Sequence, residues 1–143
     1  MDQLDQHVIF SPMFAMLFLT IIVWSYMYAK RIPFITSLNV EPDQLTPGEF
    51  ARRSPPEVSN PSDNLKNLFE VPILFYAMVL YLFVTAQVDG FYLTLCWIFV
   101  LTRALHSAVH CTVNVVLVRF GLYAASCAAL FLIVFRAGWQ HYA

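Results

Sequence analysis

Charged residues are scarce in this chain: Asp, Glu, Lys and Arg make up 12% of 143 residues, against about 25% in an ordinary soluble domain. The formal net charge is −1, so no basic field points to nucleic acid as a partner. Paired cysteines are also lacking. Cys96, Cys111 and Cys127 stand in apolar runs with no C-x-x-C spacing, a pattern of three buried free thiols rather than a disulfide framework. No internal repeat or low-complexity tract is present. The start of the chain has no basic n-region. It carries Asp2 and Asp5, and the apolar run behind them is too long for a cleaved leader, so a retained first helix is expected.

What is there is apolar. Hydrophobic residues make up 59% of the chain and aromatics 16%, with a mean hydropathy of +0.65, which reads as a single-domain membrane protein. Residues 8–29 carry no charge, and Ser11-Pro12 reads as an N-cap followed by proline at the first helical position. The first helix is expected over about 10–30; from Pro12 to Ala29 it measures roughly 27 Å, close to the hydrocarbon thickness.

Six of the eight prolines fall within residues 33–62, predicting a polar connecting loop over about 31–60 that is too irregular for membrane depth. Asn60-Pro61-Ser62-Asp63 reads as the cap, first-turn proline and acidic first turn of a second helix over about 61–87, bent near Pro72. Asp89-Gly90 makes the next turn. Residues 90–135 hold only two charges, Arg103 and Arg119. One straight helix of that length would measure about 69 Å, over twice the hydrocarbon core. Two helices are therefore expected, about 91–112 and 116–138, reversing near Thr112–Val116, where Asn114 is the turn-former. The expected fold class is all-α, a transmembrane four-helix bundle.

Lys30, Arg31, Arg52, Arg53 and Lys66, five of the eight basic side chains, flank or lie in the long loop. The positive-inside rule predicts that loop in the cytoplasm and both termini on the opposite side. Trp139 and Tyr142 then suit the far interface, with Arg136 snorkelling toward it.

The segment RALHSAVH, residues 103–110, places an arginine and two histidines inside an apolar span. At 100° per residue, Arg103, His106, Ser107, His110 and Asn114 share a sector of about 100°. On the second helix Asp63, Asn67 and Glu70 share a face; on the fourth, Arg119 and Tyr123 stand one turn apart. All lie in the loop-side half of the bundle, and ionisable groups at such depth face the bundle interior or a wet cavity. Pairwise alternatives stand beside a common pocket. Glu70 and Arg103 form a buried ion pair on one reading, His110 and Asn114 serve as interhelical hydrogen bonds on another, and Arg119 snorkels on a third. His106 and His110 have a spacing able to ligate a metal, with Glu70 or Cys111 as a third ligand. Arg103 beside them opposes a cation and no second cluster exists, so no metal is expected.

These motifs resemble the MAPEG family, the membrane-associated proteins in eicosanoid and glutathione metabolism. The resemblance covers most of the chain: NLFE matches the family's N-x-x-E as Asn67 and Glu70, RALH matches R-x-x-H as Arg103 and His106, and VRFGLY supplies Arg119 and Tyr123. It implies a homotrimer with glutathione as co-substrate, bound between subunits near the cytoplasmic face. Arg119 would be the catalytic, thiolate-stabilising residue, and Asn67, Glu70, Arg103, His106, His110 and Tyr123 would bind the tripeptide. The implied activity is a glutathione transferase or peroxidase acting on a lipophilic small molecule from the membrane lipid; the alternative is a non-catalytic lipid-binding member of the same family. His110 stands where eicosanoid-forming members usually have tyrosine, Val115 where they often have arginine, and Asp63 where they commonly have a basic residue. The motif context looks more like bacterial-type branches.

Overall fold

The computed structural model describes residues 5–143; Asp2 lies outside the described residues. Six α-helices and two short 3-10 turns are present, and no strand among the described residues. The α-helices are α1 Phe10–Ser37, α2 Pro47–Arg53, α3 Pro56–Leu68, α4 Val71–Val84, α5 Gly90–Cys111 and α6 Val116–Tyr142. Four units are long and apolar enough to cross a membrane: Gln6–Ser37, Pro56–Val84, Gly90–Cys111 and Val116–Tyr142.

The fifth helix is the centre. Its buried positions, among them Tyr92, Cys96, Phe99, Arg103, His106 and His110, recur at three- and four-residue steps, the period of one helix face. It packs broadly against α6 and also against α1 and α3, while α4 lies on α6. Phe75 of α4 stacks on Phe99 of α5, rings parallel and 4.5 Å apart. The outside stays apolar: Phe18, Ile22, Leu101, Phe120 and Phe135 are all exposed. With apolar lipid on that side, van der Waals packing rather than water exclusion holds the helices together.

Several helix ends differ from expectation. The first helix does not start at a Ser11 cap. A 3-10 turn, Gln6–Ile9, leads into it, and Asp5 Oδ1 accepts from His7 N at 3.0 Å; the polar cap stands six residues earlier. At the other end the helix continues through Pro33 to Ser37. The loop is correspondingly shorter and carries α2, capped by Thr46 with Pro47 at the first position. Asn60-Pro61 is not a cap either: Pro61 lies buried inside α3, which begins at Pro56 behind an extended Pro55. The Pro55-Pro56 pair sets that start, since proline favours an extended residue before it and a helical first position after.

The second span is broken, not merely bent. Helix α3 ends at Leu68 and α4 begins at Val71, with Glu70 out of helical geometry at φ −99°, ψ −99°. Pro72 has no N–H for the Leu68 carbonyl and its ring crowds that group, so the ladder opens just before it. Reversals elsewhere agree with their residues. Asp89 caps α5 by accepting from Tyr92 N at 2.9 Å. Asn114 sits at φ 48° between α5 and α6, a left-handed position that asparagine tolerates, and its N–H closes on the Val109 carbonyl at 2.7 Å.

At the end of the bundle that holds the α4–α5 turn, Arg136 has an acidic partner that the sequence reading did not assign it. Its guanidinium forks onto Asp89 at 3.0 and 2.5 Å and lies 4.4 Å from the Tyr92 ring. The Arg136 donors hold the Asp89 carboxyl below its ordinary pKa, against a smaller opposing effect of burial. In the long loop, hydrogen bonds from Arg52 and Arg53 likewise lower Glu49.

Candidate functional site

The break before Pro72 builds the first wall of the site. In an unbroken helix the Asn67 carbonyl would accept from the amide four residues on. Here it accepts from Arg103 Nη2 instead. Arg103 is fully buried, and its guanidinium carbon lies 5.3 Å from the centre of the Tyr123 ring. One arginine thus ties the second, third and fourth spans together. Its Nε and Nη1 are buried without a hydrogen-bond partner among the described residues.

His106, one turn along α5, accounts for the second wall. Its Nδ1 lies 3.0 Å from the Arg119 carbonyl. A carbonyl only accepts, so Nδ1 carries the proton and Nε2 is left as the acceptor of the neutral ring. That Nε2 is buried and unpartnered, as is Nδ1 of His110. The two imidazoles meet edge to face at 5.5 Å, and His106 also lies 6.0 Å from the Tyr123 ring.

Arg119 stands half-buried on the first turn of α6. Its Nη1 donates to Asn114 Oδ1 at 2.7 Å, and Asn114 Nδ2 donates to Asn60 Oδ1 at 3.0 Å. The left-handed turn residue therefore also clamps the arginine, and α3 braces the clamp. Asn67, His106, Arg119 and Tyr123, with Val116 and Phe120, line one cleft of about 200 Å³.

Other expected members stand elsewhere. Asp63 is exposed and pairs with Lys66 at 2.8 Å, so it is not in the cleft. Glu70 is exposed and forms no ion pair with Arg103 within 4 Å among the described residues. The broken helix turns its side chain outward, and the buried-pair reading fails. His110 is packed behind His106 and does not line the cleft. The three cysteines are free, but only Cys96 is buried; Cys111 and Cys127 are half-buried.

Sequence reasoning passed over Asn60 and Asn64. Asn64 is fully buried, accepts from Ser107 Oγ at 3.3 Å and donates to Cys111 Sγ at 3.4 Å. The signal was present: Asn60, Asn64 and Asn67 follow four- and three-residue steps and share one helix face. Taking Asn60-Pro61 as a helix start hid it. No group of three or more His, Cys, Asp or Glu suited to a metal exists among the described residues.

Four apolar spanning units around a buried polar cluster define an integral, multi-pass membrane protein. A family model described as the MAPEG family matches residues 9–139; the chain belongs to that family. No curated protein and no solved structure matches it.

Proposed function

We propose that the protein is a glutathione-dependent transferase or peroxidase acting on lipophilic electrophiles that reach the cleft from the bilayer. The observation that carries this reading is the convergence of Arg119, His106, Asn67 and Tyr123 on one cleft, with uncommitted donors of Arg103 behind it. Buried polar groups without partners call for an explanation, and an anionic tripeptide supplies acceptors for guanidinium donors. In this reading Arg119 holds the thiolate, and Arg103, Asn67, His106 and Tyr123 bind the tripeptide backbone and its carboxylates. Glu70, exposed at the helix break and outside the cleft lining, would meet the ligand's amino group only where the ligand extends past the cleft, and His110 fixes the His106 ring.

The size of the cleft supports completion by a neighbouring copy, and the family resemblance makes that assembly a homotrimer. Sites that enclose a ligand usually measure about 300–1,000 Å³, more than the cleft of one chain. A neighbouring copy would complete the wall beside exposed Val116 and Phe120. The positive-inside asymmetry supports a cytoplasmic long loop, with both termini on the other side. Glutathione should raise the melting temperature of the detergent-solubilised protein, and Arg119→Ala should abolish conjugation. No binding at millimolar glutathione would sink the reading.

One feature favours a second reading, a non-catalytic lipid-binding protein: an apolar groove of about 330 Å³ between α1 and α5, lined by Leu19, Val23, Tyr26, Ala104, Ala108 and Cys111. Recovery of a bound lipid without turnover on a panel of electrophiles would select it.

A further inference from the structure

A second polar pocket shares no lining residue with the cleft. It measures about 360 Å³ and lies where the end of α1 meets α2 and α3, with Arg31, Phe50, Ser54, Ser59, Ser62 and Lys66 among its walls. We propose that it holds the phosphate of an anionic phospholipid with a hydroxylated head group.

Charge is the first support. Asp63 also lines the pocket, but Lys66 neutralises it at 2.8 Å. Arg52 and Arg53, on α2, are both held by Glu49. Arg31 has no acidic partner within ion-pair distance among the described residues, and its guanidinium lies 4.4 Å from the Phe50 ring centre. That contact holds the side chain beside the pocket, and the N–H donors of a guanidinium match phosphate oxygens. The net charge of the lining is therefore +1, suited to a phosphodiester carrying one negative charge.

Depth is the second. The uncharged run 8–29 precedes Lys30 and Arg31. Its 22 residues rise roughly 33 Å, about the hydrocarbon thickness, which sets Arg31 at head-group level. The serines are the third. Ser54 Oγ and Ser59 Oγ donate to the Phe50 and Pro55 carbonyls, so their oxygens keep lone pairs for hydroxyls of a ligand. Ser62 makes no hydrogen bond through its hydroxyl among the described residues and remains a donor.

A soluble phosphate offers the same chemistry, and the test separates the two sources. The full chain is placed in nanodiscs of phosphatidylcholine, of phosphatidylcholine with phosphatidylglycerol, and of phosphatidylcholine with inorganic phosphate in the buffer. Phosphatidylglycerol should raise the melting temperature, and native mass spectrometry should find it retained. Arg31→Gln should weaken retention at least about tenfold, the loss of one charge-assisted contact. Ser62→Leu fills the pocket without touching a charge and should do the same. Arg52→Gln removes a like charge outside the pocket and should keep the shift. Unchanged retention in both Arg31→Gln and Ser62→Leu overturns the site, as does an equal loss in Arg52→Gln. If Arg31→Gln does not fold, Ser62→Leu decides. A full shift from inorganic phosphate alone overturns the lipid as the source. None of these readouts depends on glutathione.

Discussion

Replacing Asn114 with glycine isolates the clamp on Arg119. Glycine accepts the left-handed φ of 48° without strain, so the turn survives, while the 2.7 Å bond to Arg119 and the 3.0 Å bond to Asn60 both disappear. The arginine is then free to drift. A unit charge about 4 Å from a thiolate contributes roughly 4 kcal/mol at an effective dielectric of 20, and about 2.8 kcal/mol at about 6 Å. The difference, about 1.4 kcal/mol, is about one pKa unit on the bound thiol. Arg119→Ala removes the whole contribution and should raise that pKa by more, up to about three units. The assay is a pH titration of the thiolate ultraviolet absorbance of bound glutathione. The expected order of thiol pKa is wild type, then Asn114→Gly, then Arg119→Ala. If Asn114→Gly titrates with the wild type while Arg119→Ala does not, the clamp does not position the guanidinium, and the argument from the turn fails.

Two further outcomes follow from buried and interfacial arginines. Arg103→Ala strands the Asn67 carbonyl and opens a cavity against Tyr123, so it should destabilise the folded protein by about 3 kcal/mol. Thermal unfolding in detergent should show a larger loss than for Arg119→Ala; equal losses would contradict the central tie. Asp89→Asn tests the other end of the bundle. The Asp89 carboxyl titrates below its ordinary value because of Arg136, so its contribution is full above the unfolded-state pKa and is lost as pH falls through the folded one. The pair is partly exposed, and the contribution is about 1 kcal/mol or less. The melting curves of wild type and variant should therefore differ at neutral pH and converge in acid; a gap that persists in acid refutes this.

Much of the architecture could be read from where charge is missing. The uncharged runs mark the spans because lipid permits little else, and Asn114 marks the last reversal because few residues tolerate its backbone angle. The polar face of α5 was legible for the same reason, since one helix repeats its own geometry. What spans two helices was not. The break before Pro72 depends on how α3 and α4 diverge, and it reverses the fate of two neighbours: Asn67 turns its carbonyl inward to Arg103, while Glu70 turns out. Residue spacing assumed an unbroken helix and put both on one wall. The short helix α2 was hidden by the proline content around it, although Thr46-Pro47 is itself a start signal.

The helix break also bears on how the chain enters a bilayer. Helix α4 has 14 residues, about 21 Å of rise, too short to cross about 30 Å of hydrocarbon alone. Its extension, α3, carries buried Asn64 and, at Asn67, a carbonyl that accepts from Arg103 of the next span. Helix α5 in turn carries Arg103, which costs roughly 2.5–3.5 kcal/mol near the centre of an isolated span. Each of the two spans carries a buried polar group, and the partner of Arg103 lies in the other span. The second and third spans therefore favour leaving the translocation machinery together, as a helical hairpin already joined through Arg103.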